Sequence, residues 1–355
     1  METISNKQGF TLIICFILCN CFTYLYGNGD WLSYIFSSLF AILIWWLLSA
    51  LMENHGFNSF FEILDFAFGR IAGKVFAFIL LIYVLLSSTT TITVFGKFTQ
   101  ISALAKTPQI VLPFIILLLA ALSLKSGLRI LSHGATLLFY FAVITLVSFV
   151  FFSFPQLDAK NILPVAEYGL FPIFRNTLSV FTNQFGDIII LLCIYPHIKK
   201  NSRRMKTLLW AVVVSCALVS LIALFTVMIL GKSQTSSEFF PVFTTLSIRG
   251  IGSYIQHMEI LTSIALTFFV FIRQVVNLYF ATLAISHIFK TKTYKKFLIP
   301  SALIVTALSL ILYPSIISLN YRVESNMNLY ILLPLQLVLP TILGAILIFK
   351  RKKEK

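Results

Sequence analysis

Ten apolar runs divide this 355-residue sequence, and most of them have the length of about 17 to 25 residues that an α-helix needs to cross a bilayer. Hydrophobic residues make up 59% of the chain and charged residues 11%, against about 25% charged residues in a soluble domain. We therefore predict an all-α polytopic membrane protein, a single integral membrane domain over residues 1–355. Its ten transmembrane helices, spans 1 to 10, are predicted near 10–26, 31–52, 75–95, 109–124, 131–154, 177–195, 207–230, 258–288, 298–314 and 328–349.

Basic residues lie in short clusters between the apolar runs, and their distribution predicts the orientation in the membrane. The net charge of +15 would suit a nucleic-acid partner only if these residues formed one binding stripe, and they do not. With the N-terminus inside, the cytoplasmic connections hold 19 of the 27 Lys and Arg residues and the outer ones hold 7, while Arg273 lies within a span. The positive-inside rule then predicts cytoplasmic N- and C-termini, a lipid bilayer as surroundings and no nucleic-acid partner.

Motifs that carry hydrolysis, ATP use or metal binding are missing from the sequence. It contains no phosphate-binding Walker loop, no GxSxG and no HExxH, and the five histidines show no metal-ligand spacing. All five cysteines fall within predicted spans, so neither a disulfide framework nor a zinc site is indicated. We expect no enzyme activity, no cofactor and no metal site.

Polar residues interrupt the first span of each half of the chain when the ten spans are divided as five plus five. In span 1 the interruption is Cys19-Asn20-Cys21 with Thr23, and in span 6 it is Asn183-Gln184-Phe185-Gly186-Asp187. Broken helices at matching positions of two halves mark the binding sites of transporters, because freed backbone groups can line a cavity. The sequence therefore predicts a five-plus-five inverted repeat with broken helices 1 and 6. For Asn20, a hydrogen bond between packed helices is an equally open alternative.

Three ionisable residues, Asp187, Glu259 and Arg273, fall at membrane depth, where a charge is costly unless it is paired or hydrated. Asp187 and Arg273 are candidate binding residues, and mutual neutralisation with a purely structural role is the alternative. Glu259 lies near the outer end of its span and suits a solvated vestibule as well as a site. Asn277 follows Arg273 by four residues on the same helical face, where its amide would orient the guanidinium or make an ordinary interhelical contact.

Seven stretches spread over nearly the whole chain follow one another in the order of a known family. They are ISNKQGFTLII at 4–14, GDWLS at 29–33, FGRIAGK at 68–74, KTPQIV at 106–111, NILPVAEYGLFPI at 161–173, FGDIIILLCIYPHIKK at 185–200, and IGSYIQHMEIL through FIRQVVNLYFA at 251–281. With these stretches the chain resembles the B-subunit family of spore germinant receptors. That spore germination permease-like family is related to the amino acid/polyamine/organocation permeases.

The resemblance implies an inverted-repeat fold and the binding of a small nutrient germinant, typically an amino acid. It also implies a place in the spore inner membrane or cell membrane and association with an A subunit and a lipoprotein C subunit. Function would then be sensing, in which the ligand favours one conformer over another. The alternatives are a proton- or sodium-coupled secondary transporter of an amino acid or amine, and a structural subunit whose pocket has decayed. As ligand, an amino acid zwitterion, a purine nucleoside and an organic cation all stay open.

The predicted ligand site lies between spans 1, 3, 6 and 8. Span 3 contributes a run of five hydroxyl residues, 87–91, which suits a cavity wall or an ordinary helix contact. The residues expected to contact the ligand are Asn20, Thr23, Ser87, Asn183, Gly186, Asp187 and Arg273.

Overall fold

Helices make up most of the chain in the computed structural model. It describes residues 3–23, 31–55, 57, 59–102, 104, 106–163, 169–201, 203–248, 258–315, 318 and 326–353. The α-helices are α1 Asn6–Thr23, α2 Trp31–His55, α3 Phe60–Phe68, α4 Arg70–Ser102, α5 Val111–Ser126, α6 Leu128–Ser153, α7 Leu170–Val180, α8 Arg204–Leu230, α9 Lys232–Ser237, α10 Pro241–Ile248, α11 Met258–Phe289, α12 Leu298–Leu312, α13 Asn326–Leu333 and α14 Leu339–Lys353. Helical turns of 3₁₀ or π type lie at Phe154–Gln156, Ala159–Ile162, Phe181–Phe185, Gly186–Cys193, Tyr195–His197, Tyr294–Phe297 and Pro334–Val338.

Six helical stretches are long and apolar enough to cross a membrane, counted over the residues that the structure describes. They are Trp31–Glu53, Arg70–Ser102, Arg204–Leu230, Ser263–Phe289, Tyr294–Leu312 and Leu329–Lys350. Along α6, outward side chains such as Leu137, Ile144 and Phe151 are apolar and well exposed, as expected for a helix that faces lipid. The architecture is thus all-helical and suited to a membrane, while the count of ten spans and the inverted repeat stay predictions.

A short amphipathic helix, α3, precedes the long helix α4. Ser59 caps its start, because the Ser59 hydroxyl accepts a hydrogen bond from the Phe61 amide at 3.2 Å. Gly69 ends α3 with a φ of 85°, a conformation in which a side chain would be strained, and the chain continues directly into α4. The turn places the apolar face of α3 against the core; that face consists of Phe60, Phe61, Ile63 and Leu64.

Helices α4 and α11 pack side by side in the core and run antiparallel. Near one end, Lys74 Nζ donates to Ile288 O at 2.8 Å, and near the middle Arg273 Nε donates to Thr91 Oγ1 at 3.1 Å. Residue numbers therefore rise along α4 as they fall along α11. This pairing places the hydroxyl run of α4 against the charged middle of α11.

Span 6 changes its helical type at the residues where the sequence predicts an interruption. Helix α7 ends at Val180, a π-helical turn covers Phe181–Phe185, and a 3₁₀ helix continues over Gly186–Cys193. A change from a wide to a tight helical turn alters the direction of the following side chains and the pattern of backbone hydrogen bonds. The chain stays helical here rather than unwinding.

Helix α1, by contrast, is continuous through Cys19–Cys21 to Thr23, so the predicted break of helix 1 at these residues is wrong. The side-chain amide of Asn20 bonds a different segment: its Nδ2 donates to the carbonyls of Asn183 and Gln184 in span 6, at 3.2 and 3.0 Å. The two neighbouring cysteines are fully buried and pack as small apolar residues. An amide bonded to a neighbouring segment leaves the α-helical backbone bonds of α1 intact.

Candidate ligand site

A buried ion pair between Asp187 and Arg273 lies in the helical core. Arg273 on α11 is 2% exposed, and Asp187 in the 3₁₀ part of span 6 is 7% exposed. Arg273 Nη2 donates to Asp187 Oδ2. Taking two charges out of water is costly, and the cost is offset only when a close pair also has further hydrogen bonds to both partners. Side chains of α4 and of the last span, together with a backbone carbonyl of α1, provide these bonds.

Asp187 accepts hydrogen bonds from three uncharged side chains besides Arg273. Ser87 Oγ donates to Asp187 Oδ2 at 2.8 Å, and the Tyr83 hydroxyl donates to Oδ1. The amide of Gln336 is further away, with Nε2 at 3.4 Å from Oδ1. The carboxylate thus has partners from α4, α11 and the last span.

The guanidinium of Arg273 uses all three of its nitrogens. Nε donates to Thr91 Oγ1 at 3.1 Å, and Nη1 donates to the Phe16 carbonyl at 3.4 Å. Nη2 donates to Ser87 Oγ at 3.4 Å as well as to Asp187. Cζ also lies 4.7 Å from the centroid of the Phe16 ring, a distance suited to a cation–π contact. One side chain therefore connects α11 with α1, α4 and span 6.

Next to the ion pair, Ser88 and Gln274 join α4 to α11. Ser88 Oγ donates to Gln274 Oε1, and Gln274 Nε2 donates back to Ser88 O at 3.0 Å. Both residues are buried. This two-way bond holds α4 and α11 in register, so that Ser87 and Arg273 stay at the same level.

Part of the predicted site comes together in the structure. Ser87, Asp187 and Arg273 contact one another directly. Asn20 bonds the backbone of span 6, which is the interhelical contact left open as an alternative for this residue. The Asn183 side chain donates to a carbonyl of its own helix at 3.0 Å, so in this conformation its amide is directed along span 6.

Four other predicted positions have different outcomes. Gly186 is buried under Gln336, and a Cβ atom there would lie 2.1 Å from Gln336 Oε1, so the close approach requires glycine. The side chains of Thr23 and Glu259 lie outside the part of the chain that the structure describes. Asn277 is buried, and neither of its polar atoms has a hydrogen-bond partner within the described ranges. Direct orientation of the neighbouring guanidinium by this amide, an expected role, does not occur.

Sequence reasoning missed Tyr83 and Gln336, and it named Thr91 only as a member of the hydroxyl run 87–91. Tyr83 and Thr91 lie four residues before and after Ser87, so all three share one face of α4, and the helical spacing contained the signal. Gln336 follows Pro334 in an otherwise apolar run. A lone amide close to a proline inside a span is a polar interruption of the kind used to select span 6.

A second polar cluster, formed by Glu53, Tyr195 and Arg204, joins α2 to α8 at the end of span 6. Arg204 Nε and the Tyr195 hydroxyl donate to Glu53 Oε2 at 2.9 and 2.8 Å. Arg204 Cζ also lies 4.5 Å from the centroid of the Tyr195 ring. Two residues shortly after Tyr195 bond the N-terminal segment: the Ile4 amide donates to His197 O, and the Lys199 amide donates to Ile4 O, both at 2.8 Å. These contacts fix the N-terminal segment and the end of span 6 to the helical core.

The chemistry available at the ion pair is electrostatic and hydrogen bonding. The carboxylate and the guanidinium are complementary to an ammonium and a carboxylate group, the two ends of an amino acid, and hydroxyl groups of α4 flank both. Across the described ranges, no three His, Cys, Asp or Glu side chains lie close enough together to hold a metal ion. A ligand entering this site replaces bonds that the pair already makes.

Comparison with known proteins indicates one family. Residues 3–316 match the family model described as spore germination protein. Spore germination protein KB of Bacillus subtilis (strain 168) is 23% identical over 369 aligned positions, which cover 99% of this chain and 96% of that protein. Spore germination protein XB of Bacillus anthracis is 23% identical over 70% of this chain and 69% of that protein.

Among solved structures, the fold is similar to that of a manganese transporter from Eremococcus coleocola. The crystal structure of its complex with an aromatic bis-isothiourea substituted compound matches with a TM-score of 0.60 at 14% identity, covering 97% of this chain and 75% of that chain. At this identity the likeness concerns the fold alone. The helices of this chain thus have a transporter-like arrangement.

Proposed function

We propose that this chain, which belongs to the spore germination protein family, is the ligand-sensing membrane subunit of a spore germinant receptor. In this proposal it binds a small nutrient molecule, such as an amino acid, and signals the binding to partner subunits. The observation that carries the proposal is the buried Asp187–Arg273 pair, because it joins span 6 to α11 where the helix of span 6 changes type. Sensing requires no covalent bond to be made or broken.

Ligand binding at this pair is an exchange of partners. An amino acid brings an ammonium group for Asp187 and a carboxylate for Arg273, so each buried charge keeps an opposite charge after the pair opens. Removing one partner of a buried pair costs about 3–5 kcal/mol, and a ligand that supplies both partners avoids this cost. A molecule with a single charge compensates only one side and is expected to bind less well.

Exchange of partners gives a physical route to a signal. When the pair opens, span 6 loses its bond to α11, while Arg273 keeps its bonds to Thr91 of α4 and the Phe16 carbonyl of α1. The ligand binds the conformer with the open pair more tightly than the conformer with the closed pair. The difference between the two binding free energies sets how far the equilibrium shifts toward the open pair. Each difference of about 1.4 kcal/mol changes the ratio of the two populations tenfold.

The proposed ligand contacts are the residues selected from the sequence, and several of them also link helices. Asn20 bonds the span 6 carbonyls of residues 183 and 184, so a movement of span 6 is transmitted to α1. Gly186 lies directly before Asp187 and allows the last span to approach. The full proposed set is Asn20, Thr23, Ser87, Asn183, Gly186, Asp187 and Arg273.

The proposed partners are an A subunit and a lipoprotein C subunit, within the spore inner membrane or cell membrane. Support comes from the similarity to spore germination proteins KB and XB. The excess of basic residues on one side supports cytoplasmic N- and C-termini.

A second candidate function is secondary transport of an amino acid or amine, driven by protons or sodium. The transporter-like fold favours it. In that case Asp187, the buried carboxylate of the site, is the first candidate for the coupling group. Receptors and transporters can use the same scaffold, so the two functions are separated by measurement rather than by fold.

The experiment that tests these functions uses the purified chain in proteoliposomes. Uptake of amino acids, nucleosides and sugars is measured with and without an ion gradient, together with thermal stabilisation by the same compounds. Stabilisation by one compound class without uptake supports the receptor, whereas accumulation driven by a gradient supports the transporter.

Variants in the same assay test the site. Asp187→Asn and Arg273→Ala are expected to abolish stabilisation by the ligand. Ser123→Ala serves as control, because Ser123 is half-buried, lies on α5 away from the ion pair's partners and bonds a carbonyl of its own helix at 2.8 Å. Unchanged dose dependence in both site variants would show that the ligand binds elsewhere.

A further inference from the structure

Gln336 reaches the ion pair from the last span, at a second π-helical turn. This turn covers Pro334–Val338, between α13 and α14, and the other lies in span 6 at Phe181–Phe185. Gln336 Nε2 donates to Thr182 O at 3.0 Å, which joins the two π-helical turns directly. Such turns within longer helices occur frequently at functional sites.

The neighbours of the Gln336 amide determine which way it points. Nε2 also donates to the Tyr83 hydroxyl oxygen at 2.9 Å and lies 3.4 Å from Asp187 Oδ1. A backbone carbonyl and a carboxylate only accept hydrogen bonds, so the reversed amide would place its oxygen against two acceptors. The nitrogen therefore faces Asp187 and Thr182, and the oxygen faces the other way.

That oxygen, Gln336 Oε1, is a buried acceptor without a donor. The residue is 1% exposed, and nothing in the described ranges donates to Oε1. The atom lies over Gly186, where an added Cβ would stand 2.1 Å from it and would force the Gln336 amide to move. An acceptor buried without a donor is unfavourable, and its position beside the proposed ligand site points to a state in which a donor is present.

We infer, on the basis of the function proposed above, that Gln336 is a further ligand-contacting residue whose Oε1 accepts a hydrogen bond from an N–H or O–H group of the bound molecule. Asp187 lies on the nitrogen side of the same amide, so this donor group binds next to the ion pair. The ligand class is a small molecule with such a donor: the ammonium group of an amino acid, or a hydroxyl group of a sugar or nucleoside. A molecule without the donor leaves Oε1 unpaired and binds more weakly.

The test uses the purified chain and four probes, L-alanine, L-asparagine, D-glucose and inosine, with thermal stabilisation as the first readout. Gln336→Met keeps an unbranched side chain of similar length and removes both polar atoms. Its affinity for the stabilising probe is expected to fall about tenfold, the effect of one lost hydrogen bond. The matched control is Thr341→Val on the same span, because Thr341 is exposed and bonds carbonyls of its own helix at 3.0 and 2.8 Å.

A second set of probes distinguishes a ligand contact from a structural role. Each probe is compared with analogues in which one donor has been removed by N-methylation or deoxygenation. The wild type is expected to bind one of these analogues about tenfold more weakly than its parent, and Gln336→Met is expected to bind the two equally. If that variant does not fold, Gly186→Ala displaces the amide from the opposite side and is used in the same comparison.

The outcomes distinguish failure of the Gln336 contact from failure of the proposed function. If the wild type is stabilised and the difference between parent and analogue persists in the variant, Gln336 does not contact the ligand, while the proposed function stands. If none of the four probes stabilises the wild type, the proposed function fails and the ligand contact fails with it.

Discussion

The two charges of the central pair are expected to be strongly coupled in a double-mutant cycle. Asp187→Asn keeps the shape of the side chain and an oxygen that accepts from Ser87, but it leaves a guanidinium that is 2% exposed without a counter-charge. Arg273→Met leaves the carboxylate uncompensated in the same way. Each single variant is expected to lower the free energy of unfolding by about 3–5 kcal/mol. The double variant contains no buried charge, so its loss is expected to be smaller than the sum of the two by at least about 2 kcal/mol.

The cysteines of the chain provide the assay. All five are free and buried, so a thiol-reactive fluorophore reports unfolding in detergent as they become exposed. Melting temperatures are compared for the wild type, the two single variants and the double variant, with Thr341→Val as the surface control. If the two single losses simply add in the double variant, the charges do not stabilise each other, and the exchange of partners proposed for the ligand has no basis.

Three smaller changes examine other contacts by the same melting assay. Glu53→Gln is expected to cost about 1–2 kcal/mol, because its partner Arg204 is 7% exposed while Glu53 itself is 29% exposed; an unchanged melting temperature would contradict this. Gly69→Ala is expected to cost about 1–3 kcal/mol through backbone strain alone, since Gly69 has φ 85° and ψ 162° and an added Cβ would meet no atom beyond the chain neighbours within 4 Å. Gly134→Ala in α6 should not destabilise, and equal effects would refute the strain argument. Asn277→Leu is expected to raise the melting temperature, because it removes an amide with no partner in the described part of the chain, and a fall would reveal a bond that this amide makes.

The double variant also separates a ligand site from a purely structural ion pair. If Asp187 and Arg273 only neutralise each other, Asp187→Asn/Arg273→Met folds and still binds the germinant. If the ligand exchanges partners with the pair, the same variant folds but loses binding. Stability and binding are therefore measured on one preparation.

Span 1 and span 6 show how far a polar interruption can be interpreted without a structure. Both contain an amide among apolar residues, and both were predicted to break. Span 6 does change from π to 3₁₀ geometry, but α1 remains a regular helix because the Asn20 amide bonds the span 6 carbonyls. Whether a polar side chain distorts its own helix depends on whether a neighbouring segment can form hydrogen bonds with it. For Asn20 that segment is more than 160 residues away in the chain.

The sequence by itself was sufficient to predict an α-helical membrane protein. The hydropathy of a span depends only on its own residues, and an apolar segment in lipid must pair its backbone N–H and C=O groups with each other, which an α-helix does. The ordered family motifs were likewise sufficient for the family, which the match over residues 3–316 confirms. Only the tertiary structure determined that Asp187 and Arg273 pair, and that Tyr83 and Gln336 meet beside them across 253 residues of chain. Such contacts depend on which faces of distant helices pack together, and this choice is made by the whole set of helices rather than by any single span.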